Sequence, residues 1–337
     1  MDFHSDNAAG VHPAILKAVA GAAGPHPAGY DADDWSRRLD AAFSALFAAP
    51  VRVFAVPSGT AANALSLAAI VPPWGGIYAH QDAHIEVDEA GAVSFFTGGA
   101  SHILVPGANG RLGVDALETA ASRRRGDVHQ VPAAALTITQ ASECGTVYRP
   151  DDVAALADWA HGRGLKLHMD GARFANAVAH LCCHPADISW RAGVDILSFG
   201  AIKNGGMSAE AIVVFDAPLA ETLPIRRKRG GMMPSKGRFA AAQLLAMVED
   251  GPWLDNARAA NAAAARIAAT VPRRLLYPVE ANALFLRLTP GEKAQLRTQG
   301  FGFYDWELLG DDAARFVLRW DQSAEAIAAL AQALAAL

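Results

Sequence analysis

The sequence predicts an α/β protein with a mostly parallel sheet, helices on both sheet faces, and a smaller α+β domain at the C-terminal end. Up to about residue 245, short apolar runs of strand-forming residues alternate with helical segments. Beyond that point a long alanine-rich helical stretch precedes two apolar runs and a last helix. A chain of 337 residues is long enough for one large domain and a smaller one.

The elements of the large domain follow one another as a parallel sheet requires. Residues 33–48 carry large apolar side chains at the spacing of one helix face, and the strand-like run 51–56 follows. Residues 57–71 begin as a tight turn and continue as an alanine-rich helix. A proline at its start and a glycine past its end mark a helix at 149–164. Apolar runs predict four further strands, at 134–139, 165–169, 194–199 and 211–215.

The C-terminal part has a different organisation. A helix at 254–270 precedes strand-like runs at 282–288 and 314–320, and a terminal helix occupies 323–336. We therefore predict an N-terminal arm at 1–20, a large domain at 21–245 and a small domain at 246–337.

Composition and charge exclude several classes of protein. The net charge of −5 argues against a nucleic-acid partner, and the basic runs 122–126 and 224–231 are predicted to form a solvated helix face or loop. No apolar run reaches the roughly 18 residues that span a bilayer, and no signal peptide is recognisable. The three cysteines lack CxxC spacing, which argues against a zinc site and fits a reducing compartment. We expect a cytoplasmic protein without a metal or membrane partner.

One lysine lies where a strand of the sheet is predicted to end. Lys203 follows the run 194–199 and precedes two glycines and the run 211–215. Lysine is among the residues least often buried, so the ordinary alternative is a loop lysine whose ammonium reaches water. A buried lysine instead has a depressed pKa and becomes nucleophilic as the free amine.

Other polar residues lie at strand ends, where ligands of open parallel sheets collect. Ser58, Gly59 and Thr60 open the helix after the first strand, and such a helix N-terminus can bind a phosphate or be an ordinary N-cap. Asp170 ends an apolar strand, where a buried carboxylate needs a cation, and Arg173 could be its structural partner. These residues lie at one edge of the predicted sheet.

A phosphate-binding turn, an aspartate and a lysine are the groups that pyridoxal phosphate needs. The lysine forms a Schiff base with it, and the carboxylate keeps the pyridine nitrogen protonated so that the ring accepts electrons. The glycines after Lys203 would let the backbone turn close to the cofactor. His84 lies in a predicted polar turn, 81–91, where a lone histidine is more often structural than catalytic.

The chain resembles the low-specificity L-threonine aldolases, which are fold type I (aspartate-aminotransferase-like) pyridoxal-phosphate enzymes, and particularly their bacterial branch that also cleaves phenylserine. The resemblance runs from end to end, and its most specific parts are "HMDGAR" and "FGAIKNG". It implies a large domain with a sheet of the seven-stranded type. The matching stretches are "FHSDN" (3–7), "YDADDW" (30–35), "SGTAAN" (58–63), "AHIEVDEAGA" (83–92), "TITQASECGTVYRP" (137–150), "LHMDGARFANA" (167–177), "SFGAIKNGG" (198–206), "SKGRF" (235–239), "PVEANALFLRL" (278–288) and "ARFVLRWD" (314–321).

The resemblance implies a role for each matching residue of the cofactor site. Lys203 would form the internal aldimine, Asp170 would pair with the pyridinium, and Arg173 would lie near the ring hydroxyl and the substrate. His84 would stack on the ring. The phosphate would be bound by Ser58, Gly59 and Thr60.

The resemblance also implies a substrate site. Ser5 and Arg315 would hold the substrate carboxylate, since the planar guanidinium binds a carboxylate in bidentate fashion. Tyr30 matches a tyrosine that completes the neighbouring subunit's site, although Asp31 stands where the family usually has glycine. Glu143 stands where many members have a histidine next to the substrate hydroxyl. The proton of that hydroxyl could move to His84, to Glu143 or to a water between them.

The implied reaction is retro-aldol cleavage of L-threonine, L-allo-threonine or L-phenylserine to glycine and an aldehyde, catalysed by Lys203 and Asp170 with His84 or Glu143. Another fold type I enzyme, a β-eliminating lyase or an aminotransferase, is the nearest alternative. A non-catalytic pyridoxal-phosphate-binding protein is a second, although a carrier needs no substrate clamp. The resemblance also implies homo-oligomers, with active sites at a dimer interface and dimers paired into a homotetramer.

Overall fold

The computed structural model describes residues 1–26, 28–249, 251–306 and 310–337, and seven strands form its large sheet. The sheet order is first, seventh, sixth, fifth, fourth, second and third strand. All are parallel except the seventh, which lies antiparallel between the first and the sixth. In chain order these strands are β1 (Arg52–Val56), β2 (Gly76–His80), β3 (Ser101–Val105), β4 (Ala133–Thr139), β5 (Lys166–Gly171), β6 (Ile196–Phe199) and β7 (Glu210–Val214).

Helices cover both faces of this sheet. Along β1, Val53 and Ala55 pack into one hydrophobic core, and Phe54 and Val56 pack into another on the opposite face. This alternation follows from the two-residue repeat of a strand. The helices are α1 (Pro13–Gly21), α2 (Asp34–Phe47), α3 (Gly59–Ile70), α4 (His84–Val87), α5 (Ala92–Thr97), α6 (Val114–Ser122), α7 (Pro150–His161), α8 (Phe174–Leu181), α9 (Leu223–Arg229), α10 (Arg238–Glu249), α11 (Pro252–Ala268), α12 (Pro290–Thr298) and α13 (Ala324–Ala335).

The predicted fold class is confirmed, and several elements extend it. The sequence predicts neither β2 nor β3 as a strand. The C-terminal part also contains more than two strands and two helices, because its small antiparallel sheet has three strands and α12 lies between the first two. The strands of this sheet are β8 (Ala283–Arg287), β9 (Tyr304–Asp305) and β10 (Ala313–Val317), in the order β8, β10, β9.

The N-terminal arm joins the small sheet to the turn that carries Lys203. Phe3 is fully buried in the core of the small sheet, and its carbonyl accepts a hydrogen bond of 2.8 Å from the N–H of Val317. Farther along, the N–H of His12 donates to the carbonyl of Gly205 at 2.8 Å. The arm therefore contacts both parts of the chain, and the domain boundaries at residues 20 and 245 stay predictions.

The basic run 224–231 is predicted to be solvated, and at Arg227 this prediction is wrong. The Arg227 side chain is 2% exposed, and its Nη1 donates to Oδ2 of Asp31 at 2.6 Å. Its Cζ also lies 5.8 Å from the ring centroid of Phe54. A periodicity of charge cannot reveal this pairing, because Asp31 is distant in sequence and is held with a left-handed φ of 68°.

No helix within the described ranges combines the length and the apolar character that crossing a membrane requires.

Candidate active site

Lys203 lies in a short 3-10 turn, Ile202–Asn204, that follows β6. The two glycines behind it are required by the backbone: Gly205 has a φ of 101°, and a Cβ at Gly206 would lie 2.8 Å from the carbonyl oxygen of Ala201. Burial, together with the nearby charge of Arg173, lowers the pKa of Lys203. Lys203 is half-buried and lines a cavity between strand ends.

Asp170 is the penultimate residue of β5 and is 4% exposed. Its Oδ2 accepts a hydrogen bond of 2.7 Å from Nδ2 of Asn63, and its Oδ1 accepts one of 2.9 Å from the N–H of Ala172. Arg173 is not its ion-pair partner. The Arg173 guanidinium instead binds Asp6 in bidentate fashion, with Nε and Nη2 each 2.8 Å from a carboxylate oxygen. One oxygen of Asp170 thus accepts from a side-chain amide and the other from the backbone, and within the described residues neither oxygen forms an ion pair.

His84 belongs to a second hydrogen-bonded group beside Asp170. It opens helix α4 rather than lying in a turn, and its Nδ1 is 3.0 Å from Oε1 of Glu89. The same oxygen accepts from Nδ2 of Asn63 at 2.9 Å. Because Glu89 is an acceptor, the proton lies on Nδ1, and the hydrogen bond raises the pKa of His84.

This group has the composition of a metal site but is already hydrogen-bonded. Donor atoms of His84, Glu89 and Asp170 lie within 4.8 Å of one another. The Asn63 amide bridges the two carboxylates, and His84 donates to one of them. Protein groups therefore engage Oε1 of Glu89 and both oxygens of Asp170, whereas Oε2 of Glu89 is buried without a partner in the described residues.

Glu143 faces His84 across the cavity. Its Oε1 accepts a hydrogen bond of 2.9 Å from the backbone N–H of His84, and its buried Oε2 has no partner within the described residues. Burial raises the pKa of Glu143, and the neighbouring charge of Asp170 acts in the same direction. The carboxyl group therefore has one oxygen fixed and one available to a ligand.

These side chains line one cavity that opens to solvent. It lies at the carboxyl ends of the parallel strands, as the sequence predicts. Its lining residues are Gly59, Asn63, His84, Glu89, Thr139, Ala141, Glu143, Asp170, Ala172, Arg173 and Lys203. Helix α3 begins at Gly59 with Ser58 as its N-cap and Thr60 in its first turn. A Cβ added at Gly59 would meet nothing within 4 Å.

Of the predicted substrate residues, Arg173 lines this cavity, and Ser5, Tyr30 and Arg315 are not among its lining residues. Ser5 caps the short helix Asp6–Ala8, whose first residue binds Arg173. Arg315, on β10, has a buried Nε without a partner in the described residues, and burial with the charge of Arg173 lowers its pKa. Tyr30 is 52% exposed and does not line the cavity.

The comparisons with known proteins agree with this geometry. The family model described as "Beta-eliminating lyase" matches residues 2–289. A low specificity L-threonine aldolase of Pseudomonas aeruginosa is 41% identical over 334 residues, covering 98% of this chain and 96% of that protein. Another, from Pseudomonas sp., is 39% identical and covers 95% and 92%. The solved structure of a Leishmania major threonine aldolase superposes with a TM-score of 0.92 at 27% identity, covering 99% of this chain and 98% of that one.

The chain belongs to the low-specificity L-threonine aldolase family. It is therefore a lyase with the fold of type I pyridoxal-phosphate enzymes, and pyridoxal 5′-phosphate is its cofactor.

The residues of this threonine aldolase fit the cofactor. The cavity contains an amine with a lowered pKa, a buried carboxylate fixed from two sides, and the start of a helix with free N–H groups. Phosphate, pyridine nitrogen and aldehyde carbon each have a complementary group in that set.

Four residues of this site were not singled out from the sequence: Asp6, Asn63, Glu89 and Glu210. Asn63 is a polar residue within the alanine-rich helix α3, and that contrast is the signal that could have found it. Glu210 is buried on β7, accepts a hydrogen bond from the N–H of Ala201, and has a pKa raised to about 7 by burial. No local pattern distinguishes it from a solvated glutamate.

Proposed function

We propose that this enzyme cleaves β-hydroxy-α-amino acids, namely L-threonine, L-allo-threonine and L-phenylserine, to glycine and an aldehyde. The observation that carries the proposal is the convergence of Lys203, Asp170 and Glu143 on one cavity. The relatives at 41% and 39% identity are named as L-threonine aldolases, which supports L-threonine as a substrate. The phenylserine part rests on the sequence resemblance alone.

The cofactor would be held from three sides. Lys203 would hold it covalently, Asp170 would keep its pyridine nitrogen protonated, and the start of α3 at Ser58, Gly59 and Thr60 would bind its phosphate. When bound, pyridoxal phosphate supplies a ring that accepts the electron pair left on Cα after the Cα–Cβ bond breaks. Burial favours the neutral, nucleophilic form of the Lys203 amine, which is the form that can bind the cofactor.

Glu143 would accept the proton of the substrate β-hydroxyl. Its Oε2 has no partner among the described residues, its Oε1 is anchored by the backbone of His84, and its raised pKa suits a group that must hold a proton. His84 itself, or a water between the two, is the alternative acceptor. Full turnover by Glu143→Gln would exclude Glu143, and full turnover by His84→Asn would exclude His84.

The substrate carboxylate would bind to Arg315, with Ser5 and Arg173 nearby. Arg315 has donors available because its Nε has no partner in the described residues. Clamping the carboxylate would set the angle of the Cα–Cβ bond to the ring, and the bond held perpendicular to the ring is the one that breaks. Tyr30 would complete the site of a neighbouring subunit.

Aldehyde release tests the proposal. The holoprotein would be mixed separately with each of the three substrates, with Lys203→Ala as the control. We expect equal amounts of aldehyde and glycine from the wild type and none from the variant. A coloured holoprotein that forms no aldehyde from any of the three would refute the proposed reaction.

β-Elimination is the second candidate, because the matching family model is described as a beta-eliminating lyase. Ammonia and a 2-oxo acid in place of glycine would identify it. Oligomeric state and location remain predictions: we propose a homotetramer in the cytoplasm, to be checked by light scattering and cell fractionation.

A further inference from the structure

Arg315 is a half-buried cation without an anion among the described residues. Among the described residues, no carboxylate lies within 4 Å of its guanidinium nitrogens, although Asp6 and Arg173 are near enough to affect its pKa. Its Nε is buried and makes no hydrogen bond. A buried charge normally has a partner, so this guanidinium is arranged to receive one from outside the chain.

Two aromatic rings of the small-sheet region lie beside the guanidinium of Arg315. Its Cζ lies 4.9 Å from the ring centroid of Trp306 and 5.3 Å from that of Tyr304. The strand register explains this arrangement, since Arg315 on β10 is paired with Tyr304 on β9 and with Phe285 on β8. Directly opposite residues of a sheet share one face.

The rings are themselves braced, and their face of the sheet lies opposite the face that packs into the larger core; on it Trp306 packs against a smaller hydrophobic cluster of Ala283, Phe285 and Val317. Trp306 packs edge-on against Phe285 at 5.1 Å, and Tyr304 packs edge-on against His4 at 4.8 Å. The alternate residues of β8 and β10 enter the hydrophobic core of the small sheet. A Cβ added at Gly145 would lie 3.3 Å from Cβ of Ala283, so the Arg315 face is turned towards the loop that carries Glu143.

We propose that Tyr304 and Trp306 are positioning residues that hold the Arg315 guanidinium in the orientation that receives the substrate carboxylate. An arginine side chain that rotates freely loses conformational entropy when it binds a ligand. Rings stacked on the guanidinium restrict that freedom beforehand and leave its in-plane N–H groups free for a bidentate contact. The inference rests on the proposed function, because it assigns the carboxylate of that substrate to Arg315.

The test compares Trp306→Leu and Tyr304→Leu with Trp306→Phe and Tyr304→Phe in the holoenzyme. Loss of one ring should raise KM for L-threonine about 5- to 30-fold and leave kcat within about 2-fold. This range of KM corresponds to the free energy of a desolvated cation–π contact. The phenylalanine variants should restore most of the affinity. Trp74→Leu, an exposed tryptophan outside the site, should leave KM unchanged.

Selectivity for the carboxylate separates positioning from a structural role. Glycine and glycinamide are compared as inhibitors, and the ratio of their inhibition constants should shrink in the leucine variants. An equal effect on both inhibitors would overturn the proposal. If Trp306→Leu lowers Tm, the same inhibitor comparison is made with Tyr304→Leu, because Tyr304 is half-exposed. If the wild type releases no aldehyde, calorimetric binding of glycine and glycinamide still tests the rings separately from the reaction.

Discussion

Asp6→Asn tests whether the N-terminal arm supports the active site. The Asp6 side chain is 1% exposed and accepts two hydrogen bonds from Arg173 and one of 2.9 Å from Nδ2 of Asn282. The substitution preserves the shape of the side chain and removes its charge. Arg173 then loses its ion-pair partner.

The expected cost follows from the burial of the two partners. Removing one member of a fully buried ion pair costs about 3–5 kcal/mol. The Arg173 side chain is 20% exposed and the asparagine keeps one acceptor oxygen, so we expect a loss of about 2–4 kcal/mol in the free energy of unfolding.

The pH dependence has a defined sign. Burial alone would raise the pKa of Asp6, but the charges of Arg173 and Lys203 and the hydrogen bonds of Arg173 and Asn282 outweigh it and lower the pKa below 3.8. A lowered carboxyl pKa stabilises the fold above the unfolded value and loses that contribution as the pH falls through the folded value. The difference between wild type and variant should therefore be constant near neutrality and shrink below about pH 3.8.

Urea unfolding at several pH values measures this difference. Asp2→Asn is the matched control, because Asp2 lies in the same arm with a side chain that is 44% exposed, and its loss should cost less than about 1 kcal/mol. Equal, small costs for the two variants would refute the view that Asp6 anchors the arm on Arg173.

Three further substitutions test other parts of the structure. Glu89→Gln should lower the pKa of His84, measured by NMR of the labelled imidazole, and an unchanged pKa would show that their hydrogen bond is absent. Arg227→Met should lower the free energy of unfolding in urea by about 2–4 kcal/mol, because it removes the buried pair with Asp31. Arg229→Met, on the exposed side of the same helix, should lower it by less than about 0.5 kcal/mol. Similar values for the two variants would contradict the buried pair. Burial lowers the pKa of His168 to about 4. Between about pH 4 and 6.5 the unfolded state therefore binds one more proton than the folded state. The free energy of unfolding should fall by about 3 kcal/mol as the pH drops through that range. His168→Leu should lack this part of the slope, and an identical slope would contradict it.

The sequence was sufficient for the features that depend on local pattern. Lys203 and Asp170 follow apolar strands, and the ends of parallel strands meet at one edge of a sheet, so their proximity could be predicted. The helices and strands with clear periodicity lie within a few residues of their predicted bounds. The short strand β9 has two exposed residues and no such pattern.

Features that depend on pairing between distant segments could not be predicted. The sequence offers Asp170, three residues before Arg173, as one possible ion-pair partner, but Asp6 is the partner because the arm packs against the small sheet. Arg227 is buried for the same kind of reason, since Asp31 comes to it from the other end of the large domain. Charge and spacing along the chain contain no information on such contacts.

Covalent trapping of the cofactor is the most direct test of the central claim that Lys203 and its cavity form the active site. The holoprotein would be reduced with borohydride and digested, and its peptides would be mapped by mass spectrometry. We expect the mass of reduced pyridoxal phosphate on Lys203 and on no other lysine, and none on Lys203→Ala. Trapping on a different lysine, or a coloured holoprotein with no covalent adduct, would contradict it.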